Sequence, residues 1–137
     1  MNVDLQGVSI DPIQPKIRVA RQTTVKSFLK NNVGVIPKGE ATCHITVNGK
    51  YLHKPGNFKS DHWLLEGVKI EQGNYEVFCK SKKQMKEGEL TEIAFTVKGK
   101  RVGTADITLA SSLSGDSKNW DIDGLNQSVR TELIVAK

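Results

Sequence analysis

The residues best suited to chemistry in this 137-residue chain lie in an acidic segment, Asp116-Ser117-Lys118-Asn119-Trp120-Asp121-Ile122-Asp123-Gly124. Asn119, Asp121 and Asp123 at positions one, three and five, with Gly124 at six, match the start of an EF-hand calcium loop, where alternate oxygens surround a hard cation and the glycine permits a sharp turn. Position twelve falls on Arg130. A cation there replaces the bidentate carboxylate, which excludes a full EF-hand and leaves a looser three-ligand site or an Asp and Asn-rich turn. His44, His53 and His62 raise zinc as a second chemistry. Structural zinc needs four converging ligands, but His44 is out of phase with Cys43, and His53 and His62 have only Asp61 for company. The expectation is no metal and no cofactor.

Nucleophilic catalysis finds no better support. The chain has no Gly-x-Ser-x-Gly, no Walker loop and no Gly-x-Gly-x-x-Gly. A catalytic cysteine needs a His partner and an exposed, electropositive site. Cys43 instead alternates in phase with Ala41, Ile45 and Val47, and Cys79 with Tyr75 and Val77. Both should point inward, as buried thiols or as an inter-sheet disulfide. No catalytic residue is expected, and the chain reads as a non-enzyme. An isopeptide between Lys26 or Lys16 and Asn126 would need a buried acid beside them, which spacing cannot supply. Trp120 is the one loop tryptophan, placed either as a lid over the end of the fold or as a sugar-stacking residue.

Charge narrows the partners. The formal net charge is +5, and the densest basic run carries Lys80, Lys82, Lys83 and Lys86. Single-stranded nucleic acid is held by stacking as well as charge, yet only 6% of the chain is aromatic and none of it lies in that run. An acidic protein surface is the expected partner, since a basic balance speeds association without a specific motif. Neither nucleic acid nor membrane is expected, because no apolar stretch approaches the about 18 residues that span a bilayer. The first seven residues show neither the basic nor the apolar region of a signal peptide.

These residues must be positioned by strands. From residue 17 onward short alternating runs recur about every ten residues: Val25 to Leu29, Ala41 to Val47, Trp63 to Leu65, Val68 to Ile70, Tyr75 to Cys79, Thr91 to Val97, Gly103 to Leu109 and Ser128 to Val135. Gly, Asn and Asp-rich turns separate them. Asn48-Gly49, followed by Lys50-Tyr51-Leu52, signals a type I′ hairpin. No window of eleven or more residues shows helical periodicity, so any helix should be a single turn. The expected architecture is an all-β, immunoglobulin-like antiparallel sandwich of about seven to nine strands over residues 17–137. Residues 1–16, with Pro12 and Pro15, read as an N-terminal arm, or as an edge strand of the same domain.

The run Leu29-Lys30-Asn31-Asn32-Val33-Gly34, the Asn48-Gly49 turn, Glu87-Gly88-Glu89-Leu90-Thr91 leading to Phe95-Thr96-Val97, the Val102-Gly103-Thr104-Ala105 step and the closing Asn126-Gln127-Ser128-Val129 run together carry a resemblance. In layout the chain resembles bacterial immunoglobulin-like modules of the CARDB and DUF11 kind, a plan also used by phage capsid decoration proteins. The resemblance implies a non-enzymatic structural or interaction protein. The expected role is a virion subunit, a capsid decoration or auxiliary protein, or a surface-assembly subunit on a larger protein lattice. Docking would use Ile10, Pro12, Ile13, Pro15 and Lys16 of the arm and Lys80, Lys82, Lys83 and Lys86. The alternative is a module of a secreted adhesin or carbohydrate-associated surface protein, with weak glycan binding at Trp120. The expected location is a virion or a cell surface.

Overall fold

The computed structural model describes residues 2–119 and 128–137. Its ten described strands are β1 (Leu5–Pro12), β2 (Lys16–Arg18), β3 (Gln22–Asn31), β4 (Ala41–Asn48), β5 (Gly56–Lys59), β6 (Trp63–Glu71), β7 (Asn74–Ser81), β8 (Leu90–Lys98), β9 (Gly103–Leu113) and β10 (Ser128–Ala136). One sheet runs β1-β3-β8-β5 and the other β2-β10-β9-β4-β7-β6. Pairing is antiparallel except where β2 lies parallel to β10. A single 3-10 turn spans Gly115–Asn119.

Alternation makes the core. Val25, Leu29, Ile93 and Phe95 of one sheet face Ile45, Val77, Ile107, Leu109 and Leu133 of the other, all buried. Burying each such side chain stabilises the fold by roughly 1.5–3 kcal/mol before entropy is counted. Two polar contacts are buried in this interior, the first within the smaller sheet and the second between the sheets. Ser27 Oγ donates to Ile93 O at 2.8 Å, and Trp63 Nε1 donates at 2.8 Å to Thr91 Oγ1, which itself donates to Leu29 O. The Trp63 bond ties β6 of the larger sheet to β8 of the smaller.

The arm reading is corrected. β1 pairs along β3 from Leu5↔Asn31 to Pro12↔Val25, and Val3, Leu5 and Ile10 are buried in the common core. The register slips between Gly7 and Ser9, so Val8 bulges out to solvent and the inward phase moves from odd to even positions. This slip breaks the alternation of the strand. Chain then switches sheets: Ile13 N donates to Thr24 O, and Pro15 O accepts from Ile134 N. A boundary between residues 16 and 17 would cut β2.

The Asn48-Gly49 hairpin is also corrected. Neither residue has the positive φ that a type I′ turn requires. Asn48 Oδ1 instead accepts from Lys50 N and Tyr51 N, turning the chain toward the other sheet, where Leu52 bridges Gly99. The tight hairpin lies at Gln72-Gly73, with φ of 52° and 81°, between the paired Glu71 and Asn74.

Candidate functional site

The strand switch builds a basic groove. Between β2 and β3 the chain makes a turn closed by Arg21 N donating to Arg18 O at 3.1 Å, with Ala20 held at a φ of 71°. Left-handed backbone is unfavourable for a residue with a Cβ, so the turn is held by its surroundings. Those are the Ala20 N bond to Gly99 O and the Gly99 N bond to Arg21 O. The turn presents Arg18 and Arg21 beside Lys16 on β2 and Lys137 after β10. With Gln14, Ile17, Gln22 and Ala136, these four cations line an open groove of about 700 Å³. None of them forms an ion pair among the described residues, and no acidic side chain lines the groove. Their field adds rather than cancels, which suits a negatively charged partner.

The residues expected to dock do not come together. Ile10 is buried in β1 and offers no contact surface, while Pro12 is half-buried there. Ile13 and Pro15 are exposed, and Lys16 alone of the five lines the groove. Lys80 reaches Glu66 at 3.8 Å on the outer face of the larger sheet. Lys82, Lys83 and Lys86 sit in the loop after β7, toward the Thr91 end of β8, whereas Gln22 of the groove pairs with Lys98 at its other end. Within that basic loop Met85 turns inward, fully buried, and bridges Ile36. Sequence reasoning missed Arg18 and Arg21; the available signal was three cations in six residues around an inward Ile17.

A second concavity, about 420 Å³, lies at that other end, lined by His62 with Lys59, Asp61, Lys83, Glu89 and Glu92 among others. His62 is buried against Trp63 with its Nε2 unpartnered among the described residues, and burial lowers its pKa from the ordinary imidazole value. The mixed charges around it select no ligand. His53 lies elsewhere, its N–H donating to Lys98 O, and among the described residues no three His, Cys, Asp or Glu side chains converge as a metal site requires. His44 stacks on Phe78 at 4.7 Å and contacts Glu76 on the outer face of the larger sheet.

Cys43 and Cys79 face each other as register partners on β4 and β7, both free and buried. They belong to one sheet, which corrects the inter-sheet pairing. The bond to Cys79, and then burial, push the Cys43 thiol well above its usual range. Trp120, Asp121, Asp123, Gly124 and Asn126 lie outside the described residues.

With the groove and the two sheets in place, known structures give the comparison. No family model matches the chain and no curated protein matches its sequence. Solved structures do match. The CARDB domain of PF1109 from Pyrococcus furiosus, solved in complex with di-metal ions, is 14% identical, with a TM-score of 0.53 over 98% of this chain and 90% of that one. The fold is a CARDB-like immunoglobulin sandwich. The sixth cohesin of Acetivibrio cellulolyticus scaffoldin B, solved with a Cel5 dockerin, is 10% identical, with a TM-score of 0.55 over 99% of this chain and all of that one. AvmM, which catalyses macrocyclization in alchivemycin A biosynthesis, is 12% identical, with a TM-score of 0.52 over 98% of this chain and 88% of that one. The plan therefore hosts binding modules and an enzyme alike, and identities this low speak for architecture only.

Proposed function

We propose that the chain is a non-enzymatic interaction module that holds a protein partner by docking an acidic segment of it in the basic groove. The observation that carries this reading is the convergence of Lys16, Arg18, Arg21 and Lys137 on one groove without an acidic side chain among its lining residues. Lysine, arginine and glutamine provide donors in abundance but no nucleophile with a base beside it, which favours holding over chemistry. The cohesin solved with a dockerin supports the same reading, because a similar sandwich there presents a protein-binding surface. We assign the module to an outer lattice, that of a virion or a cell surface, as a capsid decoration or surface-assembly subunit. Contacts of this kind are individually weak there and gain strength by repetition.

The test is titration of the whole chain with an oligoglutamate peptide, with a single-stranded oligonucleotide of equal charge as the second arm. The peptide should bind, with an affinity that falls as salt rises, and the triple variant K16E/R18E/R21E should abolish it while melting as the parent does. Stronger binding of the oligonucleotide would replace the protein partner by a nucleic acid, and absence of peptide binding would discard the groove.

A further inference from the structure

The larger sheet ends in an open strand. β6 is nine residues long and has β7 on one side and, among the described residues, no strand on the other. The other edges are blunted. β2 has three residues and β5 four, while β1 ends in Pro12. Short strands and prolines are among the usual protections of a sheet edge. β6 instead exposes Leu64, Leu65 and Ile70, the last at 71%.

Its own bulge gives that edge a pattern. Opposite β7, Leu65 pairs with Cys79, Gly67 with Phe78, Val68 with Val77 and Ile70 with Tyr75, the register slipping at Glu66. In an unbroken strand residues 65 and 70 would face opposite ways, because side chains alternate. The extra residue puts Leu65, Val68 and Ile70 on the core side together, and leaves Lys69 on the outer side, where Glu66 reaches Lys80.

We propose that β6 pairs antiparallel with β6 of a second copy of this chain, about a two-fold axis at Val68. In that register Val68 faces its counterpart and Ile70 faces Leu65 on either side of it, giving a continuous apolar strip on the inner face. Lys69 faces the bulged Glu66 of the other copy, twice, on the outer face. Every facing pair of the central segment is then apolar with apolar or cation with anion, the pairs that stabilise cross-strand contacts, and the free N–H and C=O groups of both edges find partners. A register one residue away would set Ile70 and Leu65 on opposite faces and lose both strips. This edge is separate from the basic groove, so the two proposals stand or fall independently.

Sedimentation of the full chain from low to high micromolar concentration reads the association, with thermal melting confirming that each variant folds. The parent should be a dimer at the upper end. Glu66→Lys alone and Lys69→Glu alone each set like charges opposite one another and should weaken dimerisation about tenfold or more, a change that corresponds to about 1.4 kcal/mol. Mixing those two variants restores opposite charges at both contacts and should give a heterodimer with the parent's affinity. Ile70→Lys should leave a folded monomer. A parent that stays monomeric, an Ile70→Lys variant that still dimerises, or a mixture that fails to associate would each overturn the proposal.

Discussion

Asp4 N donates to Asn31 Oδ1 at 3.3 Å across 27 residues of sequence, and Asn31 Nδ2 answers by donating to Gly34 O at 2.7 Å and Met85 O at 3.2 Å. One fully buried amide thus joins the start of the chain, the turn after β3 and the loop before β8. Replacing Asn31 by Ala removes all three bonds from a fully buried site, although Met85 O keeps its bond from Ile36 N, so a loss of about 1–3 kcal/mol is expected in urea unfolding. A loss below about 0.5 kcal/mol would mean that the amide contributes no more than an exposed turn.

The N-terminal residues belong to the same cooperative unit. Deleting residues 1–12 removes a whole strand and the buried Val3, Leu5 and Ile10, so the truncated chain should lose its sharp melting transition. Leu5→Ala alone should cost about 2–5 kcal/mol, the range for emptying a packed core site. A truncated chain that melts like the parent would restore the arm.

His62 makes stability depend on pH. Burial holds its folded pKa below the ordinary value, with Lys82 and Lys83 acting in the same sense and Glu89 against them. Unfolded His62 binds its proton near pH of about 6.5, so the contribution is fully present above that pH and is lost as pH falls toward the lower folded value. Melting temperatures from mildly alkaline to mildly acid buffer should therefore decline more steeply for the parent than for His62→Phe. Equal slopes would remove His62 as the cause.

The two cysteines should be slow to react. Cys43, whose pKa is raised by the hydrogen bond to Cys79 and by burial, offers little thiolate, and the thiolate is the nucleophile; Cys79, whose pKa that same hydrogen bond lowers, is shielded by its burial. Alkylation with iodoacetamide should label neither Cys43 nor Cys79 in the folded chain at neutral pH, and both in denaturant. Rapid labelling of the folded chain would show that the β4 and β7 pair opens to solvent.

Ala20 offers a backbone test of the groove. Ala20→Gly relieves the positive φ at the cost of a more flexible unfolded chain, and a gain of up to about 1 kcal/mol is expected from thermal unfolding. A loss would mean that the Ala20 methyl packs against its surroundings and outweighs the strain.

Alternation made most of the fold legible, because β3, β4, β8 and β9 each keep strict phase with the core. It failed where phase slips. The bulge at Val8 disguised β1 as an arm, since Leu5 and Ile10 fall on opposite parities. Asn48-Gly49 misled because the Asn48 side chain caps the backbone of the next residues and redirects the chain between sheets, a tertiary choice that a dipeptide does not encode. The groove was half hidden for a similar reason. Lys16, Arg18 and Arg21 are neighbours in sequence, but Lys137 joins them only because β2 and β10 run side by side, and the denser Lys80 to Lys86 run drew attention to the opposite end.

The position of β3 has a kinetic consequence. It lies between β1, which precedes it closely, and β8, whose Ile93 accepts a bond from Ser27 across 66 residues. Loop closure on that scale must be paid before the contact rewards it, so the sandwich belongs with chains that fold in milliseconds to seconds rather than microseconds. Until β8 arrives, β3 holds only β1, and a nascent chain in that interval shows its neighbours a hydrophobic edge that the finished protein never displays.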